Sequence, residues 1–320
     1  MNRLPVAALM ALALALALGC GSARAECKLQ QLANIPIVFV NDRPMVEATI
    51  NGKPALLRFS LGRRIWIWGS ALKDYDLKRD QPIENTPGFG QSSAALVREL
   101  VAGGSALSNA HFDVALSMKK EGEAGLYGSS LFNSTNDIEL DFAHNAVRVF
   151  KPDDCKGDDV VYWGGAYSVV EQNRDSWLSL KLSGHVVNGT VSPGNEVTFV
   201  IADEAHRSGV SLQRAGSLPV AMLEQGFPKP VEIFIGTFRE IAIGDETIKN
   251  VPLAVGDVLP FSHTWNGPDI VLGADFVKAH RTYFASSQRK MYFSYGGGPA
   301  FRDVYARLGV QPPPPQTPKP

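Results

Sequence analysis

Asn51-Gly52-Lys53-Pro54-Ala55-Leu56-Leu57-Arg58-Phe59-Ser60-Leu61-Gly62 and Ser183-Gly184-His185-Val186-Val187-Asn188-Gly189-Thr190-Val191-Ser192-Pro193-Gly194 align without a gap. Each stretch has Gly at its second position, a strand-like run, and Ser-x-Gly at its end. A motif written once in each half of a chain is the mark of a duplicated structural unit.

The sequence on either side of the first copy alternates β-branched residues with turn signals. Ile35-Pro36-Ile37-Val38-Phe39-Val40 reads as a strand, with Pro36 confining it to an edge or a strand start. Asn41-Asp42-Arg43-Pro44 is a turn, Met45 to Ile50 a second strand, and Asn51-Gly52 a hairpin turn. Pro54 to Phe59 is the strand that delivers Ser60. Residues 80–95 are rich in Gly, Ser, Pro and Asn and predict a mobile loop. Gly125-Leu126-Tyr127-Gly128 precedes a short helix-like stretch, Ser129 to Phe132. Asp137 to Phe142 and Ala146 to Phe150 predict a closing hairpin.

The second half repeats this plan. Trp177 to Leu182 alternates well, Ile241 to Ile248 is a hairpin, and Ile270-Val271-Leu272-Gly273 matches the Leu126-Tyr127-Gly128 segment. Arg281 to Ala285 and Arg289 to Tyr295 form the second closing hairpin. A connector is expected over 156–175. The Pro-rich tail over 301–320, with Pro312 to Pro315, is expected to be disordered or polyproline-like.

The chain has 320 residues, 45% hydrophobic and 20% charged, with a net charge of −1. That composition suits a globular protein with a substantial core. The absence of a basic stripe removes the electrostatic basis for nucleic-acid binding. Arg3, the apolar run Val6 to Gly19 and Ala23-Arg24-Ala25 read as a secretory signal peptide over 1–25. The run is short for a membrane span. Cys20 after Ala17-Leu18-Gly19 gives a weaker alternative, a lipoprotein signal. Cleavage after Ala25 leaves Cys27 and Cys155, and a single pair in an exported protein favours one disulfide. The alternative is two free buried thiols.

These pieces, in this order, resemble the bacterial retropepsin-like aspartic peptidases in a tandem two-repeat form. The resemblance covers about residues 35–297. It rests on the Gly-bearing hairpin leading into Ser-x-Gly, on the two apolar-apolar-Gly segments, and on Leu272-Gly273-Ala274-Asp275-Phe276 followed by His280-Arg281 and Ser287 to Phe293. A rival register would place Ile201-Ala202-Asp203 at the second motif, at the expense of a gap and the Gly. The resemblance implies an all-β fold of two acid-protease-like lobes, 26–155 and 176–300, related by a pseudo-twofold with a cleft between them. Its catalytic aspartates map onto Ser60 and Ser192.

That departure bears on chemistry. An aspartic dyad works because two carboxylates share a proton, one activating water while the other polarises the carbonyl. Two serines can hold a water but cannot take its proton at a useful rate. A nucleophilic serine needs an adjacent base, no Gly-x-Ser-x-Gly elbow is present, and His185 belongs to the hairpin turn. Asp137, Asp141, Asp269 and Asp275 could rebuild a carboxylate pair, but turn and cap chemistry is the simpler reading. The six histidines lack metal-ligand spacing, and no cofactor motif is present. The five tryptophans, Trp66, Trp68, Trp163, Trp177 and Trp265, could line a groove or, more commonly, fill the core. Arg58, Arg63 and Arg64 flank Ser60 and would make a cleft cationic if they entered it; otherwise they face solvent from the strand. The glycosylation sequons at Asn133 and Asn188 are too common a pattern to weigh.

The expectation is an exported, periplasmic or secreted, non-catalytic protease-like protein. Ser60, Gly62, Ser192 and Gly194 would line a cleft that takes an extended peptide through main-chain hydrogen bonds. The alternatives are a peptidase using other residues and a structural envelope protein.

Overall fold

The computed structural model describes residues 28–87, 89–153, 161–173, 177–218, 231–257, 267–301 and 304–312. The signal peptide, Cys20, Cys27, Cys155 and Trp265 lie outside the described residues, so the expected disulfide does too.

The first half runs β1 (Lys28–Pro36), β2 (Val38–Val40), β3 (Arg43–Ile50), β4 (Lys53–Phe59), β5 (Trp66–Trp68), helix α1 (Ala71–Asp74), β6 (Glu84–Thr86), β7 (Gly90–Ala102), β8 (Ser105–Ala115), β9 (Gly125–Tyr127), β10 (Asp137–Asp141) and β11 (Ala146–Asp153). The second runs β12 (Ser168–Glu171), β13 (Leu178–Leu182), β14 (His185–Val191), β15 (Phe199–Val200), α2 (Ala202–Arg207), β16 (Leu212–Leu218), β17 (Val231–Ile243), β18 (Glu246–Val255), β19 (Ile270–Leu272), α3 (Ala274–Val277), β20 (His280–Ala285) and β21 (Lys290–Tyr295). A last helix, α4 (Val304–Leu308), follows.

The two halves are topological copies. One sheet runs β2-β3-β4-β9-β5-β8-β7-β6 and folds back through β3–β7; the other runs β13-β14-β19-β15-β18-β17-β16 and folds back through β13–β17. Pairing senses match as well: β4–β9 and β14–β19 are parallel, β5–β9 and β15–β19 antiparallel, β5–β8 and β15–β18 parallel. The closing hairpins leave their lobes and meet in a third, antiparallel sheet, β1-β11-β10-β20-β21-β12. Its central pairing, Ile138↔Phe284 through Leu140↔Thr282, joins the lobes where a pseudo-twofold would pass. The chain is therefore all-β and bilobal, as the duplicated motif predicts.

Local chemistry explains the copies. Asn51 and Gly52 take left-handed φ of 51° and 79°, and Ser183 and Gly184 take 49° and 99°, as a two-residue hairpin turn requires. The N–H groups of Asn51 and Ser183 donate to Glu99 O and Glu240 O, each at 2.8 Å, binding each turn to the same strand of its own lobe. One apolar core cluster runs through both lobes and the joining sheet, from Leu57 and Phe59 to Leu140, Leu180 and Phe276.

Four expectations need correction. Within 80–95, β6 pairs with the start of β7: Glu84↔Ser92 and Thr86↔Gly90 pair, the Thr86 and Ser92 hydroxyls lie 2.7 Å apart, and the Phe89 ring stacks on Trp66 at 3.9 Å. Small polar residues suit an edge strand as well as a loop, and the anchoring indole comes from β5. Ser129 to Phe132 is turn and bend, because Ser129 Oγ accepts the Leu131 N–H at 3.1 Å and Ser129 O the Phe132 N–H at 2.9 Å, a local alternative to helix. The connector contributes β12 to the joining sheet through its pairing with β21. The tail begins later than residue 301: Phe301, Val304 and Tyr305 are buried, and α4 packs on Phe199, Ile233 and Ile235.

Candidate functional site

β4 and β14 carry their Ser-x-Gly loops to equivalent places. Phe59 pairs with Tyr127 and Val191 with Leu272 in the same parallel register. One residue on, Ser60 N–H donates to Tyr127 O at 3.0 Å and Ser192 N–H to Leu272 O at 2.9 Å. The gap-free alignment is thus a structural equivalence. Ile201, of the rival register, instead leads into α2.

The glycine after each apolar pair is explained by close approach. A Cβ on Gly128 would sit 2.3 Å from Gly62 O and 2.4 Å from Arg64 O; on Gly273 it would sit 2.5 Å from the Val197 carbonyl. Each motif loop lies directly against that glycine. Ser60 is buried and its Oγ accepts the Gly62 N–H at 3.0 Å. Ser192 is half-buried, and its carbonyl accepts Asn195 N–H at 3.0 Å. Gly62 is exposed and Gly194 buried.

Arg58 joins the two loops. It is fully buried two residues before Ser60, and its Nη1 donates to Gly194 O at 3.1 Å. Its Nε and Nη2 hold both oxygens of Glu123, the former at 3.0 Å, in a bidentate pair. Glu123 also accepts from Arg43 Nη1 at 2.6 Å. Arg43 Nε lies 3.5 Å from Glu196, which also faces Arg307 of α4 at 3.6 Å. Asp42 pairs with both Arg307 and Lys278. This network ties the first lobe to the second and to the C-terminal helix. Burial pushes the Glu196 carboxyl above its ordinary range, against the pull of Arg43.

Sequence reasoning named Arg58 but missed Glu123, Glu196 and Arg307, which reach it only through the fold. The one local signal was an arginine inside the apolar run Leu56-Leu57-Arg58-Phe59. Arg58 therefore neither faces solvent nor leaves a free charge, since Glu123 neutralises it. Arg63 and Arg64 are exposed, Arg64 lying 3.1 Å from Asp113.

The remaining aspartates have structural partners. Asp275 is buried, accepting from Thr198 Oγ1 at 2.7 Å and Thr198 N–H at 2.9 Å, and desolvation pushes it up to about 6. Asp137 accepts from Tyr283 OH at 3.0 Å, and burial likewise pushes it up to about 6. Asp141 pairs with Arg148 at 2.9 Å, and Asp269 accepts the Asn188 N–H at 2.8 Å. His185 Nε2 lies 2.6 Å from Glu204, on the hairpin end of β14 away from Ser192. Trp66 and Trp68 are core residues. Among the described residues no group of side chains could hold a metal, and no helix is long and apolar enough to cross a membrane.

No protein-family model and no curated protein sequence matches the chain. Among solved structures it is similar to the aspartic proteinase from Irpex lacteus, with a TM-score of 0.49, 11% identity, and coverage of 82% of this chain and 97% of that one. The equivalence of the lobes rests on the strand pairings given above.

Proposed function

We propose that this chain is an exported, non-catalytic protein on a protease-like scaffold, which takes an extended peptide in the cleft between its lobes. The observation that carries the reading is the pair of equivalent serines, each held by its N–H to the strand before a close-packed glycine. Ser60 and Ser192 occupy the motif positions that would need ionisable groups. A hydroxyl there does not ionise usefully near neutral pH and is a poor acceptor of a proton from water. Glu123, the carboxylate that Arg58 holds beneath the loops, is committed to Arg58 and Arg43. Peptide binding by strand addition needs only unpaired main-chain groups and side-chain pockets, so it survives loss of the dyad. Export belongs to the same reading, on the apolar leader ending at Ala23-Arg24-Ala25.

The test pairs two assays on the purified protein. Incubation with denatured proteins from pH 3 to 7, with and without a statine-type inhibitor, is expected to give no inhibitor-sensitive cleavage. A screen of extended peptides is expected to raise the melting temperature through ligand linkage. Cleavage that persists in a Ser60→Ala, Ser192→Ala double variant would place an active site elsewhere and overturn the reading.

A further inference from the structure

A pocket lies in the first lobe, behind β9. Strand alternation separates it from the paired hairpin at 84–92. Leu126 faces Trp66, Trp68 and Phe89, while Tyr127, the next residue, points to the opposite side. The pocket encloses about 290 Å³, the small end of the range for ligand sites. Ile65, Phe112 and Leu131 give it apolar walls, and Leu107, 44% exposed, forms part of its rim.

Besides three serines, Ser105, Ser129 and Ser130, two polar groups break the apolar lining. Tyr127 is only 7% exposed, yet its hydroxyl has no hydrogen-bond partner among the described residues. The hydroxyl abuts the turn at Gly103, where an added Cβ would lie 2.9 Å from it. The oxygen itself is not fully enclosed, so the hydroxyl keeps a donor available at the pocket. Burial also pushes this phenol above its ordinary pKa, so it remains a donor at all physiological pH. The second group is Arg63. Its neighbour Arg64 is paired with Asp113, but Arg63 has neither ion-pair nor hydrogen-bond partner among the described residues. It is exposed at the pocket, offering a planar fork suited to a carboxylate.

From this arrangement we propose that the pocket binds a small aromatic carboxylate carrying an oxygen at its other end, with the carboxylate on Arg63, the ring between Phe112 and the aliphatic walls, and the oxygen accepting from Tyr127. Such a ligand would give the Tyr127 hydroxyl an acceptor and Arg63 a counter-ion, and would cover the exposed Leu107 side chain.

The probe is 4-hydroxycinnamate, titrated calorimetrically into the purified protein, with its amide and unsubstituted cinnamate as partners. Saturable binding is expected, weakened about tenfold in the uncharged amide, the scale of a charge-assisted hydrogen bond. Cinnamate, which lacks the distal oxygen, should bind about fivefold more weakly, the scale of a neutral one. Arg63→Gln should abolish the preference for acid over amide, and Tyr127→Phe the preference for 4-hydroxycinnamate over cinnamate. Arg63 is exposed, and Tyr127→Phe keeps the ring, so both variants should fold; circular dichroism checks this. Absence of saturable binding at millimolar concentration, or survival of either preference in its own variant, overturns the proposal.

Discussion

Replacing Arg58 with Met should loosen the junction between the lobes. The Met keeps the apolar stem but removes the guanidinium, so Glu123 loses its bidentate partner and Gly194 O its donor. Breaking a buried ion pair from one side costs about 3–5 kcal/mol because the other charge stays buried. Here Glu123 keeps Arg43 at 2.6 Å, which favours the lower end. A deprived carbonyl adds about 1 kcal/mol. The expected loss is therefore about 3–4 kcal/mol, read as a fall in the urea midpoint at neutral pH with a nearly unchanged slope. A second substitution, Glu123→Leu, should recover most of it, since Arg43 still has Glu196 at 3.5 Å and no charge is left alone. A loss below about 1 kcal/mol in the single variant would mean that the junction does not depend on this pair, and the reasoning would fail.

Gly128→Ala should destabilise by about 3 kcal/mol through collision with two carbonyls of the first motif loop, whereas Gly164→Ala, with open space around it, should change the urea midpoint by under about 0.5 kcal/mol. Tyr305→Ala should cost about 3 kcal/mol in the same measurement if α4 belongs to the second core; a neutral result would return this segment to the tail. Desolvation raises Asp137 to about 6 in the native state, above its unfolded value, so the native protein binds the extra proton between about pH 4 and 6. Stability from this group is then present below that window and lost as pH rises through it. Unfolding at pH 5 should release roughly one proton from Asp137, seen as a buffer-dependent calorimetric enthalpy that Asp137→Asn reduces. An unchanged proton count in that variant would show that Asp137 is ionised in the native state.

The legible part of this fold was whatever short-range chemistry dictates. Asn51-Gly52 and Ser183-Gly184 specify tight turns, alternating Leu178 to Leu182 specifies a half-buried strand, and the glycines at 128 and 273 mark where backbone approaches backbone. Because the same signals occur twice in the same order, the sequence by itself determined a duplicated all-β unit and the equivalence of Ser60 with Ser192. It also determined that neither motif carries a carboxylate. Tertiary structure decided what depends on partners distant along the chain. Phe89 helps anchor a Gly- and Ser-rich stretch as paired strand because Trp66 lies beneath it. Arg58 can be buried only because Glu123 and Gly194 arrive from elsewhere to satisfy it. Phe301 and Tyr305 extend the fold past the expected tail because the second lobe presents an apolar face to them. Propensity is local, whereas burial, ion pairing and the lone hydroxyl of Tyr127 are properties of a surface that exists only once the strands are paired.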